Sequence, residues 1–199
     1  GRIYAVQSSD KEIRQQAQAT GQLIQQEWGE LSEGRTMTFL THIDRRVRQA
    51  AQFELAGRKA TLAIARALAD STHQLQKIHL LWALQQIGQQ DVDRALVVAT
   101  VASQLDSSDA ELRAQAARVL GELQATETEL PLISLLDDDN LRTRHLAAIA
   151  LGRIGSSSAA PALLAMLAAN KDADPIVRHS GIMGLVGGHN NTVVLEAIT

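Results

Sequence analysis

The residues best able to do chemistry in this sequence are two histidines that each follow an arginine, Arg144-His145 and Arg178-His179, 34 positions apart. If the segments carrying them stack as neighbouring helices, the two imidazoles lie about one helix spacing, roughly 8–10 Å, from each other. That distance suits a ladder of ligand-binding side chains along an inner face. It is too wide for one metal ion held by both, and no carboxylate is placed to complete such a site. The plainer reading is preferred: two polar residues at a semi-exposed position whose equivalents elsewhere are Gln49, Ile78 and Ala114. His79 lies one position further and adds little. No catalytic, metal-binding or cofactor-binding residue is assigned, and the candidate partner-binding residues are Arg48, Arg113, Arg144, His145, Arg178 and His179.

Other chemistry-bearing runs read as structure. Asp137-Asp138-Asp139-Asn140 lacks the alternating ligands, glycine and terminal glutamate of a calcium loop, so it is a solvated turn ending in a helix cap. Arg45, Arg46 and Arg48, with Arg142 and Arg144, could form a basic stripe for an acidic partner. Most are expected to pair with acidic turn residues, for about 0–1 kcal/mol each. Trp82 and Phe53 stand in apolar helical context and are expected in the core. Gly184, Gly187 and Gly188 do not make a phosphate loop.

Composition narrows the field further. With 199 residues, 45% hydrophobic and 21% charged, the chain is globular in character and long enough to bury a core. A net charge of −3 removes the electrostatic drive toward nucleic acid or an anionic membrane. Cysteine is absent, which excludes disulfides, thiolate metal sites, covalently attached haem and cysteine nucleophiles from these residues. The small-apolar stretch around Ala159 to Ala169 is too short to span a bilayer.

The elements that must position these residues follow from an internal repeat. Five segments share Asp or Asn, then Arg or Lys four residues on, then leucine seven further: Asp44…Arg48…Leu55, His73…Lys77…Leu84, Asp109…Arg113…Leu120, Asn140…Arg144…Leu151 and Asp174…Arg178…Leu185. Only His73 breaks the first position. The leucines lie 29, 36, 31 and 34 residues apart, a spacing suited to helical pairs with variable loops. Asp44, Asp109, Asn140 and Asp174 stand where an N-cap accepts a backbone N–H, and Pro175 occupies the first helical position. Apolar residues then recur at four-residue steps, with a small residue (Ala51, Ala116, Ala147 or Gly181) that lets helices approach. Leu62 to Leu68, Ala95 to Leu105, Leu130 to Leu136 and Pro161 to Leu167 supply a preceding helix to each, so every unit is two antiparallel helices. Gly57, Gly88 and Gly155 are expected to end second helices at positive φ.

The start of the chain differs in kind. Residues 1–9 are expected to be a tail or the remnant strand of a preceding domain, since Arg2 to Val6 alternates but has no partner strand. Residues 10–35 are expected to form a capping or linker helix, started by Ser9 or Asp10 and ending near Gly29, followed by a loop from Glu30 to Arg35. Residues 36–199 form the repeat array. Val193 to Thr199 reads as the opening helix of a sixth, truncated pair, so the chain is expected to be a piece of a larger protein.

The repeated Asp44-Arg45-Arg46-Val47-Arg48 and Asp174-Pro175-Ile176-Val177-Arg178 resemble HEAT repeats of the short bacterial type, over residues 36–199. The resemblance implies an all-α fold, a right-handed α-α superhelix of about five helical pairs, whose second helices line the concave face. It also implies an Asp/Asn and Arg ladder at the turns, interrupted at His73, Gln76 and Lys77. A narrower likeness joins Gly1 to Val6 with Arg48-Gln49-Ala50-Ala51-Gln52-Phe53-Glu54-Leu55 and His79-Leu80-Leu81-Trp82-Ala83-Leu84. These resemble the middle of large bacterial haem-binding proteins that join a β-propeller, a HEAT array and a cytochrome c module. That likeness implies a spacer, in a periplasmic or exported protein.

HEAT-like iron hydroxylases use repeated His-Glu pairs, whereas the six histidines here precede Ile43, Gln74, Leu80, Leu146, Ser180 and Asn190. HEAT-like DNA glycosylases carry a basic cleft with aromatics, which this acidic, aromatic-poor chain lacks. HEAT-like bilin lyases share the repeat and remain a lesser alternative. The leading expectation is a monomeric, non-catalytic interaction or scaffolding module. It binds a protein partner or flanking domains through the concave face and takes no cofactor, nucleic acid or membrane.

Overall fold

In the computed structural model the described residues are 8–189, and among them the chain is a succession of α-helices without a strand. The helices are α1 (Lys11–Gln25), α2 (Glu33–Thr38), α3 (Arg45–Gly57), α4 (Thr61–Asp70), α5 (Gln74–Gly88), α6 (Arg94–Ala102), α7 (Ala110–Glu122), α8 (Glu129–Ser134), α9 (Leu141–Ile154), α10 (Ala160–Asn170) and α11 (Pro175–Gly187). Short 3-10 turns extend α2 and α8, over Phe39–Thr41 and Leu135–Asp137.

The second helix of each pair starts where its cap residue allows. The Asp44 side chain accepts from the N–H of Arg46, Asp109 from Glu111 and Leu112, Asn140 from Arg142 and Thr143, and Asp174 from Ile176 and Val177. Each bond satisfies a donor that a helix start leaves without an intrahelical partner. His73 provides no such bond to α5. The break in the sequence pattern is thus a real break in capping.

Pairs stack into an α-solenoid. The second helices α3, α5, α7, α9 and α11 pack on one another in order, each also covered by its own first helix, while successive first helices touch far less. We term this more closely packed layer of second helices the inner face. The repeat leucines Leu55, Leu84, Leu120 and Leu151 are fully buried between the layers, with Leu185 nearly so. No repeat could bury this apolar surface alone, so each depends on its neighbours.

Several helix ends differ from expectation. Gly155 does take positive φ (73°) and closes α9. Gly57 and Gly88 are the last helical residues instead, and the left-handed positions after them are Lys59 and Asp91. Nor is 30–35 wholly a loop, because the Ser32 hydroxyl accepts from the N–H of Arg35 at 3.2 Å and starts α2 at Glu33. α1, capped by Asp10, ends at Gln25 rather than near Gly29. The strand-like run Arg2 to Val6 and the opening of a sixth pair at Val193 to Thr199 lie outside the described residues.

Candidate binding face

The six candidate partner-binding residues fall into two groups. Arg48 and Arg113 hold the turns of the stack. Arg48 Nη1 donates to the carbonyls of His42 and Ile43 at 2.6 and 2.9 Å. Arg113 reaches across to the next repeat, its Nε and Nη2 on the two carboxylate oxygens of Asp138 at 2.6 and 2.8 Å, with Nη1 on the Ser107 carbonyl at 2.8 Å. That fork holds the Asp138 carboxyl below the usual range.

Arg144, His145, Arg178 and His179 occupy α9 and α11. Arg144 and His145 are half-buried, and Arg144 Nε and His145 Nδ1 lie out of contact with solvent without a hydrogen-bond partner. Arg178 is exposed and paired with Asp172, itself exposed, and His179 is exposed. His145 lines a notch of about 280 Å³ with Leu141, Arg142, Asp174, Ile176 and Val177. Burial first, then the charges of Arg142 and His179, push its pKa down.

A larger groove, of about 530 Å³, lies on the same inner layer between α3 and α5. Five glutamines line it, Gln49, Gln52, Gln85, Gln86 and Gln89, together with the rings of Phe53, His79 and Trp82 and, at one end, Arg45. Phe53, expected in the core, is 51% exposed, and Trp82 is only partly buried. The four-residue helical period explains the error: Phe53 falls beside the buried row of Val47, Ala51 and Leu55 rather than on it.

Beneath this groove run two hydrogen-bonded networks joined by a ring contact. Arg48 Nε donates to His79 Nε2 at 3.1 Å, which makes that nitrogen the acceptor. Nδ1 then carries the proton and donates to Gln52 Oε1 at 2.8 Å. Burial, with Arg48 adding its charge, lowers the His79 pKa to about 4, so the ring is neutral at pH 7 and suited to these two bonds. The His79 and Trp82 rings meet edge to face at 5.0 Å. Trp82 Nε1 donates to Gln115 Oε1 at 2.9 Å, Gln115 Nε2 to Glu111 Oε1 at 2.8 Å, and Arg142 Nε to Glu111 Oε2 at 2.9 Å. Side chains of α3, α5, α7 and α9 are thereby tied across the inner face. His79, Gln52 and Gln115 are each buried, and each has a partner. The spacing of polar residues at 49, 52, 79, 82, 85 and 115 was the available signal, on helices otherwise read for their apolar rows.

Comparison with known proteins bears on this geometry. Residues 98–186 match the HEAT repeats family. That stretch of the α-solenoid, from α6 to α11, carries HEAT repeats. Human deoxyhypusine hydroxylase, in complex with glycerol, superposes with a TM-score of 0.53 at 20% identity, over 79% of this chain and 62% of that one. The complex of CpcE and CpcF of phycocyanin lyase from Nostoc sp. PCC7120 gives 0.59 at 20% identity, over 79% and 65%. An engineered protein gives 0.52 at 19% identity, over 90% and 92%. The solenoid spans less than two thirds of the first two chains, and at these identities the likeness is one of fold. No curated protein matches. The likeness to haem-binding multidomain proteins gains no support from these comparisons.

The expectation that the chain is not an enzyme is overturned. A hydroxylase and a lyase share this stack of helices, so catalysis is compatible with the fold and its absence does not follow from it. Among the described residues no group of three or more histidines and carboxylates could hold a metal ion, and no helix is long and apolar enough to cross a membrane.

Proposed function

We propose that this α-solenoid is a binding module that takes a protein partner on its inner face, with the groove between α3 and α5 as the principal seat. The observation that carries this reading is the groove itself. A half-exposed Phe53 and a partly buried Trp82 stand among five glutamines, on a base whose polar groups are already bonded to one another. Aromatic anchors on a pre-organised surface are the usual source of binding energy at protein interfaces. Glutamine amides offer both donors and acceptors to a partner's backbone. Arg144, His145, Arg178 and His179 extend the same face toward α11 as secondary contacts, while Arg48 and Arg113 serve to hold its turns.

Site-specific photo-crosslinking in the cells that make the protein tests this reading. A benzophenone side chain at Gln49, exposed in the groove, is expected to capture a discrete partner. The same group at Leu62, 61% exposed on the outer helix α4, is expected to capture none. Capture from Leu62 alone would contradict the proposal.

A further inference from the structure

Arg118 of α7 lies beside the groove between α3 and α5, next to Trp82 and Gln85. It is half-buried, with its guanidinium carbon 5.8 Å from the centroid of the Trp82 ring. Nε donates to Gln115 Oε1 at 3.0 Å and Nη2 to Gln85 Oε1 at 3.1 Å. Both partners are neutral amides. Among the described residues no carboxylate lies within ion-pair distance of it. The acids nearby are engaged elsewhere: Glu122 with Arg153 at 2.6 Å and Glu111 with Arg142 at 2.9 Å.

A guanidinium withdrawn from water is costly unless an anion neutralises it. Burial pulls the Arg118 pKa below its ordinary value, yet the group stays charged at any physiological pH. Two of its N–H groups point at amide oxygens, which fix the plane of the fork, and others are left to meet a carboxylate. Trp82 and Gln85 also line the groove described above, so Arg118 sits along its edge. No carboxylate lines that groove among the described residues, and Arg45 lies at its other end. In a chain of net charge −3 this is a local reversal of sign.

We infer that the inner face of α3, α5 and α7 binds an extended acidic segment of the partner protein, with a Glu or Asp carboxylate of that segment seated on the Arg118 guanidinium beside Trp82. The glutamines meet the segment's backbone, and Phe53 packs on its side chains. This inference rests on the inner-face reading and names the chemistry of its partner.

The probe is an acetylated, amidated peptide of three Glu-Gly units, compared with the same peptide carrying Gln for Glu. The chain's two tryptophans are Trp28 and Trp82, so a Trp28→Phe background leaves Trp82 as the sole indole reporter. The acidic peptide is expected to shift Trp82 emission saturably, and anisotropy of the labelled peptide should give the same affinity. The Gln peptide should bind at least tenfold more weakly. Arg118→Gln should remove that preference, Arg118→Lys should keep most of it, and Arg66→Ala, exposed on the outer helix α4, should leave it unchanged. Thermal melting of each variant separates lost binding from lost fold. Equal affinity for the two peptides, an unaltered preference in folded Arg118→Gln, or tighter binding of oligodeoxythymidylate than of the acidic peptide would overturn the inference. If the acidic peptide fails while Gln49 still captures a partner, only the acid recognition is wrong. If both fail, the inner-face reading falls with it.

Discussion

The two ends of the inner layer are built on different principles. From α3 to α7 the second helices are joined by side chains: Arg48, His79 and Gln52 at one level, then Trp82, Gln115, Arg118 and Gln85 at the next. From α9 to α11 they are joined by backbone contact. A Cβ on Gly152 would lie 2.7 Å from the Met183 carbonyl oxygen, and one on Gly187 would collide with the Gly152 carbonyl. Glycine there permits a separation that any side chain would forbid. Close approach leaves little room between the helices for polar partners, and in this region Arg144 Nε and His145 Nδ1 go without hydrogen bonds. A wider spacing filled with paired polar groups gives a shaped, chemically specific floor. A tight glycine seam gives stability with little recognition chemistry.

The largest expected effect lies in the shared apolar layer, where both regions should behave alike. Leu120→Ala is expected to cost about 2–5 kcal/mol, because its side chain is fully buried and the cavity cannot collapse within a packed stack. Leu185→Ala, at 6% exposure on α11, should cost less. Chemical denaturation of the two variants gives both values.

Next come the ion pairs, where the regions should diverge. Asp138→Ala leaves Arg113 half-buried without its carboxylate, and about 3 kcal/mol is expected by denaturation. Asp172→Ala removes an exposed partner from Arg178 and should cost at most about 1 kcal/mol. Equal costs would mean that the ladder is not graded along the stack.

His79 provides a pH signature for the α3 to α7 floor alone. Its folded pKa of about 4 lies below the ordinary 6.5, so the unfolded chain binds the proton more tightly. Its contribution is therefore complete above about pH 6.5, falls as pH drops toward 4, and changes no further below that. About 3 kcal/mol is at stake. Stability measured across this range should lose that slope in His79→Gln.

The smallest effect on folding is expected from the joint substitution of Arg144, His145, Arg178 and His179 by alanine. Melting should shift by less than the equivalent of about 1 kcal/mol. Partner affinity should fall only partly, since the principal seat is elsewhere. A large melting shift would show that these residues hold the seam rather than face a partner.

The fold was legible because it repeats. Asp44, Asp109, Asn140 and Asp174 each announce a helix start through a local bond within three residues, and each repeat leucine marks the buried row. Such signals need no knowledge of what lies across the stack. The candidate site was legible only in part, because its bonds join residues about thirty positions apart, as in Arg48 with His79 and Trp82 with Gln115. The signal at Phe53 lies in its register alone, since a rotation of about two positions around the helix axis separates its ring from the buried row of Val47, Ala51 and Leu55. The six candidate partner-binding residues stand out by charge and recurrence. Recurrence selects what every repeat needs, which for Arg48 and Arg113 is a partner in the adjoining turn. Recognition residues are those that vary between repeats, and the glutamines and aromatics of α3 and α5 are of that kind.

Amide hydrogen exchange with the partner recovered from the Gln49 crosslink, bound and unbound, tests the central claim most directly. Slowed exchange is expected in α3, α5 and α7, with α9 and α11 little changed. Protection confined to α9 and α11, or to the outer helices, would contradict the account.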